Sequence, residues 1–244
     1  MDISFLFLLL IPIVAFMYST VGHGGASGYL ALMALFSFSP EVMKPTALLL
    51  NLIVAGLSFY HYWRKGHFNF KLFIVFAIGS IPFSFVGGLI EVDTRLYRIV
   101  LGLLLIFAVL RILNVFGRET EKTKEAPWGI GLIFGASIGF LSGLIGIGGG
   151  IILSPLILLM HWGKMKEAAA VSALFIWVNS AAGIMGQLVK GVEFDTTIWL
   201  YILLAAFGGF LGGLSGSSRM KNSNLRFLLA FVLILASIKL IIVS

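Results

Sequence analysis

Apolar stretches of helical length recur along the whole chain, separated by short clusters of Gly, Pro and charged residues. A helix of about twenty apolar residues spans the hydrocarbon core of a bilayer. The pattern predicts ten helical segments, at residues 3–19, 27–38, 44–63, 71–90, 96–115, 127–144, 150–162, 167–189, 196–215 and 224–243. The second and seventh segments are too short to cross comfortably. The sequence therefore predicts an all-α polytopic membrane protein, and the first segment, which has no positively charged region before it, is expected to be a mature helix.

The two sides of the polar stretch 118–125 resemble each other at an offset of 124 to 128 residues. The matching landmarks are Gly22-His23-Gly24-Gly25 with Gly146-Ile147-Gly148-Gly149, Lys65-Gly66 with Lys190-Gly191, and Gly87-Gly88 with Gly212-Gly213. We interpret this as a duplication with an N-terminal repeat at 1–117, a linker at 118–126 and a C-terminal repeat at 127–244. Because each half holds five segments, an odd number, the two repeats are predicted to be inverted relative to each other.

The distribution of Lys and Arg predicts the orientation. The connections after odd-numbered segments hold twelve of them and those after even-numbered segments hold four. By the positive-inside rule the first set, including the linker, is cytoplasmic, and both termini are predicted to lie outside the cytoplasmic membrane. The same parity holds if each Gly-rich pair of segments is a re-entrant hairpin, so ten full spans and about eight spans with two hairpins both stay open.

Composition narrows the class of protein. The chain is 59% hydrophobic and 11% charged, whereas soluble domains carry about 25% charged residues. The net charge of +7 comes from residues between apolar runs, so we interpret it as a topology signal and expect no nucleic-acid partner. The chain has no cysteine, no Gly-Lys-Ser/Thr phosphate loop and no metal-ligand spacing. We therefore expect neither an enzyme nor a bound cofactor, and lipid as the surrounding partner.

Two glycine clusters are the first candidate site. Each separates a longer apolar run from a short one, as in a helix broken inside the membrane. Such a break persists only where protein or a water-filled cavity satisfies the backbone. The short helices after the clusters would point their N-terminal amides at a small anion near the midplane. The alternative is that these glycines only permit close helix packing. The candidate residues are Gly22, Gly24, Gly25, Gly146, Gly148, Gly149 and Gly150.

Polar residues inside apolar segments are the second candidate set, because each is costly in a membrane unless it is paired or functional. Neutral donors of this kind can replace the water around an oxyanion. The alternative is hydrogen bonding between helices. The residues are Thr46 and Asn51 in the third segment, and Ser172, Asn179, Ser180 and Gln187 in the eighth.

His23 lies inside the first glycine cluster, where its partner in the repeat is Ile147. It could donate to an anion or couple transport to protons, or it could be a structural hydrogen-bonding group. Lys44 lies near a segment end, where its amine is expected to reach the headgroups. Lys239 lies deeper in its segment.

The second half carries three motifs, namely the run 146–150 followed by Pro155, the run 168–175, and the run 179–183, and the first half has a weaker copy at 22–25, 45–47 and Asn51. Together these motifs resemble the TauE/SafE family, also called sulfite exporters. The resemblance covers essentially the whole chain. It implies a permease of two inverted halves and a site formed by the two glycine clusters with Thr46, Asn51, Ser172 and Asn179.

The resemblance implies a secondary transporter of small sulfur-containing anions such as sulfite, thiosulfate or sulfoacetate. The partners are thus expected to be a small anionic substrate and lipid, and coupling to protons or another ion stays open. An anion channel, or a permease for another small organic anion, is the alternative.

Overall fold

The computed structural model describes residues 3–113, 123–218 and 223–242, so residues 118–122 of the predicted linker lie outside the described part. No strand occurs among the described residues, which confirms the all-helical prediction. The helices are α1 (Ile3–Ser19), α2 (Ala26–Leu35), α3 (Pro40–Arg64), α4 (Phe70–Leu89), α5 (Thr94–Ile112), α6 (Trp128–Ile145), α7 (Gly150–Leu159), α8 (Met165–Val189), α9 (Ile198–Ser218) and α10 (Ser223–Ile242).

Within the described ranges, five helices are long and apolar enough to cross a membrane, namely α3, α4, α6, α8 and α9. The helices α3 and α8 begin earlier than the apolar pattern predicts, because their first turns are polar. Pro40 opens α3 at a position where a missing N–H costs nothing, and the carboxylate of Glu167 accepts a hydrogen bond at 2.8 Å from the backbone N–H of Lys164 before α8. Both helices have 25 residues and begin 125 residues apart, as the repeat predicts.

Helices α1 and α2 form a hairpin. The ring of Phe7, near the start of α1, lies 5.4 Å from that of Phe36 and 5.1 Å from that of Phe38, just after α2 ends. Since α2 has ten residues, it covers about 15 Å, half of a bilayer core of about 30 Å. The chain therefore runs inward along α1, turns at residues 20–25 and returns along α2.

Helices α6 and α7 form a second hairpin from the opposite end of the bundle. The backbone N–H of Lys124, shortly before α6, donates to the carbonyl of His161, after α7, at 2.7 Å. We call the end that carries the starts of α1 and α3 the α1 end, and the end that carries the starts of α6 and α8 the α6 end. Neither α2 nor α7 is long enough to cross, so these pairs are hairpins rather than pairs of full spans.

The two halves interlock through matching contacts. Helix α9 lies along α1, with Gly212 against the carbonyl of Phe16, and α6 lies along α4, with Gly87 against the carbonyl of Phe140. These contacts are repeat equivalents, because Gly87 matches Gly212 and Phe16 matches Phe140. The inverted duplication and the orientation in the membrane both stay predictions.

Lys239 has a structural task. Its ammonium donates to the carbonyl of Leu35, at the end of α2, and to the hydroxyl of Ser37, both at 2.8 Å. A helix end inside a bilayer leaves carbonyls without partners, and a cation there also complements the helix dipole. Lys239 thus stabilises the end of α2, which lies at the α1 end of the bundle.

Candidate functional site

The turns of the two hairpins meet at the middle of the bundle. A Cβ atom added at either Gly24 or Gly148 would collide with the same two side chains, those of Asn51 and Ile176. Asn51 is the twelfth residue of α3 and Ile176 the twelfth of α8, each about halfway along a helix of 25 residues. The prediction that the clusters lie near each other therefore agrees with the structure. Their role in binding stays a prediction.

Asn51 makes one hydrogen bond and lacks another. Its side-chain oxygen accepts from the backbone N–H of Ala26 at 3.0 Å, so a residue of α3 caps the first turn of α2. Its Nδ2 atom is buried, lies beside Gly148, and has no hydrogen-bond partner among the described residues. A buried N–H group without a partner is costly, which makes this group a candidate donor to a ligand.

Left-handed backbone precedes the two short helices α2 and α7, which we call the half-helices. Gly25 has φ 96° before α2, and Gly149 has φ 77° before α7, a conformation that glycine adopts without penalty. Tyr29 covers the first turn, because an added Cβ at Gly25 would lie 2.9 Å from the hydroxyl oxygen of Tyr29. That buried hydroxyl also has no partner in the described part of the chain.

His23 connects the two hairpin turns. Its Nδ1 lies 2.9 Å from the carbonyl of Val21, and its Nε2 lies 3.0 Å from the carbonyl of Gly150 in the other half. The hydroxyl of Ser154 lies 3.3 Å from Nε2 and 2.7 Å from the hydroxyl of Ser172. Both ring nitrogens thus face carbonyl oxygens, and only a doubly protonated ring can donate to both.

The remaining candidates of α8 and α3 are buried but differ in their contacts. Asn179 donates from Nδ2 to the carbonyl of Phe175 at 2.7 Å, within its own helix, while its Oδ1 has no partner among the described residues. The Ser180 hydroxyl also lacks one there. Thr46 is buried in the first turns of α3.

The side chains at the hairpin turns, those of His23, Asn51, Ser154, Ser172 and Ile176, form what we call the central cluster. Gln187 lies apart from it. Its side-chain amide donates to the carbonyl of Gly88 at 2.6 Å, at the α1 end of the bundle, and it lines a cleft there. It follows Asn179 by eight residues, about 12 Å along α8. The structure therefore does not bring Gln187 to Asn51 and Ile176, where the two hairpin turns meet.

Sequence reasoning missed two members of the cluster. Ser154 is a hydroxyl inside the short apolar helix α7, beside Pro155, and this isolated polar residue was the available signal. Ile176 is apolar, and only its equivalence to Asn51 in the repeat could have indicated it. The expectation that Lys44 reaches the headgroups also differs from the structure, since its side chain turns inward to the carbonyls of Gly87, Gly88 and Ile90.

Comparison with known proteins identifies a protein family that the chain matches. The family model described as sulfite exporter TauE/SafE matches residues 7–240. The probable membrane transporter protein y4hK of Sinorhizobium fredii is 36% identical over 233 residues, which cover 94% of each chain. Two further proteins named probable membrane transporters are similar: YunE of Bacillus subtilis, 26% identical over 83% of this chain and 81% of its own, and MJ0441 of Methanocaldococcus jannaschii, 28% identical over 78% and 77%. No solved structure matches the chain.

Proposed function

The chain belongs to the sulfite exporter TauE/SafE family of membrane transporters, and from this premise we propose that it is a secondary transporter that moves small sulfur-containing anions across the cytoplasmic membrane. Sulfite, thiosulfate and sulfoacetate are the substrates we propose to test. The proposed binding site comprises the two glycine turns, the side chains of Thr46, Asn51, Ser172, Asn179 and Ser180, and His23.

The observation that carries the proposal is the environment of Asn51. A buried amide N–H without a described partner lies between two glycine turns, each of which leads into the N-terminus of a half-helix. Helix N-termini present backbone N–H groups and the positive end of the helix dipole, which favour an anion. Neutral donors hold an oxyanion weakly enough to release it, which a carrier requires.

The interlocked halves support alternating access. Each half contributes one hairpin that enters from its own end, and the two turns meet at Asn51 and Ile176. Rocking of one half against the other would open the central cluster first to one side and then to the other. The hydrogen bond from His23 to the carbonyl of Gly150 crosses between the hairpins and would have to break in this motion.

The test is uptake of radiolabelled sulfite, thiosulfate and sulfoacetate into proteoliposomes that hold the purified protein, with chloride and sulfate as competitors. We expect saturable uptake of at least one of these anions and exchange with the same anion inside. Currents that do not saturate would favour an anion channel. Uptake of only sulfur-free organic anions would favour a permease for another small organic anion.

A further inference from the structure

A cleft of about 310 Å³ opens at the α1 end of the bundle, between the start of α3, the connection from α4 to α5 and the end of α8. We call it the Lys44 cleft. Its polar lining comes from Glu41, Lys44, Glu91, Thr94, Gln187 and Lys190. Lys44 precedes Asn51 by seven residues, which is about 10 Å along α3.

Lys44 is a buried ammonium group whose described partners are neutral. Its side chain is 8% exposed, and its Nζ atom lies 3.3, 3.4 and 3.2 Å from the carbonyls of Gly87, Gly88 and Ile90. These distances lie at or just beyond the long end of the usual range of about 2.7–3.2 Å for an N–H···O bond. A buried charge is costly unless it is paired, and carbonyl dipoles offset only part of that cost.

The carboxylates of the cleft leave Lys44 without an ion pair. Among the described residues the ion pair at this cleft joins Glu91 to Lys190, at 2.6 Å, and the side chain of Glu91 is 85% exposed at the rim. Hydrogen bonding to Lys190 lowers the pKa of the Glu91 carboxyl, which favours the charged form of that carboxyl. Glu41 is also exposed. The ammonium of Lys44 therefore lies at depth without an ion pair, and the carboxylates of Glu41 and Glu91 lie exposed at the rim.

The two halves differ at the position of Lys44. The residue equivalent to Lys44 in the second half is Ala169, at the offset of 125 that relates α3 to α8. Both positions make the same backbone contact: an added Cβ at Gly146 would lie 3.0 Å from the carbonyl oxygen of Lys44, and one at Gly22 would lie 2.5 Å from that of Ala169. Alanine fills this place in the second half, where the ammonium of Lys166 instead donates to the carbonyl of Ser217 near the end of α9 at 3.3 Å. An ammonium at this position of the helix is therefore particular to the first half.

The floor of the Lys44 cleft is the turn of the second hairpin. Leu144, in the last turn of α6, lines the cleft, and the hydroxyl of Tyr97 donates to the carbonyl of Ile145 at 2.9 Å. Gly146 packs against the backbone of Lys44, and Gly148 packs against Asn51. The chain thus reaches the central cluster at Gly148 four residues after Leu144 at the cleft floor.

We propose that the Lys44 cleft is an entry site for oxyanions, in which the ammonium of Lys44 binds an anion by charge-assisted hydrogen bonds before the anion reaches the hairpin turns. Gln187 holds the carbonyl of Gly88 with one amide N–H and offers its second N–H to the same ligand. The identity of the anion as a transported substrate rests on the proposed function, whereas the binding site itself does not.

The experiment titrates the thermal stability of the detergent-purified protein with sodium thiosulfate, at an ionic strength held constant with sodium gluconate. Wild type should gain stability with a saturable dependence. Lys44→Met should raise the half-saturating thiosulfate concentration by about tenfold or more, as loss of one charge-assisted hydrogen bond requires, while Lys44→Arg should keep it within about threefold. Lys65→Met, a lysine exposed at the other end of the bundle, is the matched control and should titrate as wild type.

A wild-type titration in Lys44→Met, or no stabilisation of wild type by thiosulfate, would overturn the proposal. If Lys44→Met aggregates, Lys44→Ala, which copies the residue of the other half, takes its place under the same criterion. Uptake of labelled thiosulfate by proteoliposomes separates the two proposals. Stabilisation that depends on Lys44 without uptake by wild type would leave the entry site standing and reject transport of this anion. Saturable uptake by wild type, together with a wild-type titration in Lys44→Met, would support transport of this anion and reject the entry site.

Discussion

The side-chain oxygen and the side-chain nitrogen of Asn51 have different roles, the first in capping α2 and the second as a candidate donor to an anion. A single substitution can separate these roles. Asn51→Asp keeps the oxygen that caps α2 and replaces the N–H donor with a second oxygen. We expect the variant to fold and its uptake of labelled anion to fall by about tenfold or more, because the site loses a donor and acquires a group that repels anions. Uptake into proteoliposomes and the elution profile in detergent measure the two properties.

A comparable cap provides the control for this substitution. The Asn69 side chain accepts from the backbone N–H of Leu72 at 3.1 Å at the start of α4, outside the central cluster. Asn69→Asp should leave uptake unchanged. Equal losses in the two variants would mean that the effect of Asn51→Asp comes from helix capping and not from anion binding.

His23 is expected to make uptake depend on pH. Histidine changes charge between about pH 5 and 8, and in this site a gained proton allows both ring nitrogens to donate to the carbonyls they face. We expect anion uptake by wild type to rise as pH falls through this range, whereas His23→Gln, which can still donate to Gly150, should show a flat profile. Initial rates at a series of external pH values measure this. His67→Gln, in the connection before α4, should retain the wild-type profile, and a sloping profile for His23→Gln would return His23 to a structural role.

At this scale the sequence indicated chemistry better than position. Asn51 and Ser172 stood out because polar side chains are rare inside apolar segments. The same argument selected Gln187, which lies at the α1 end, because periodicity along a helix does not reveal how deep in the bundle the partners lie. Ser154 was missed for the opposite reason, since a single hydroxyl in an apolar helix has no partner until the fold brings His23 and Ser172 beside it.

The hairpin turns are the elements most sensitive to added volume. Gly148→Ala meets two costs, a left-handed backbone at φ 79°, worth about 1–2 kcal/mol, and a collision with the side chains of Asn51 and Ile176, worth about 1–3 kcal/mol. We expect a loss of thermal stability in detergent together with loss of uptake. Gly66→Ala has a similar φ of 74° but nothing within 4 Å of the added Cβ, so it isolates the backbone cost. Equal destabilisation of the two variants would argue against close packing at the turn.

Helix boundaries were largely predictable, and the pairing of helices was not. Clusters of Gly, Pro and charge marked most helix ends to within a few residues, whereas the polar first turns of α3 and α8 concealed their true starts. The short length of α2 and α7 indicated that neither crosses. The return of α2 along α1 is seen only from contacts such as that of Phe7 with Phe36, because the type of an apolar residue does not indicate which helix it packs against.

The orientation of the whole molecule can be tested because the chain has no cysteine. Glu91→Cys lies at the α1 end and Lys65→Cys at the α6 end, and both residues are exposed. If both termini lie outside, as the positive-inside rule predicts, a membrane-impermeant maleimide should label Glu91→Cys in intact cells and label Lys65→Cys only after the cells are opened. The reversed pattern would place the Lys44 cleft on the cytoplasmic side.

At the scale of the molecule, the sequence repeat predicted two halves of opposite direction but not how they interlock. Counting segments gives the parity of each half. The pairing of α1 with α9 and of α4 with α6 depends on where small residues such as Gly87 and Gly212 let backbones approach, and these contacts cross from one half to the other.

This interlocking has a consequence for synthesis of the chain. When α6 emerges from the ribosome, its partner α4 has already been made, so the second hairpin can dock at once. The first hairpin must wait, because α9 follows α1 by nearly 180 residues and supplies the carbonyl of Gly209, to which Ser19 donates at 2.7 Å. A nascent chain stopped at the linker would hold an N-terminal half whose first helix still lacks its partner, and membrane quality control would meet it as an unassembled protein.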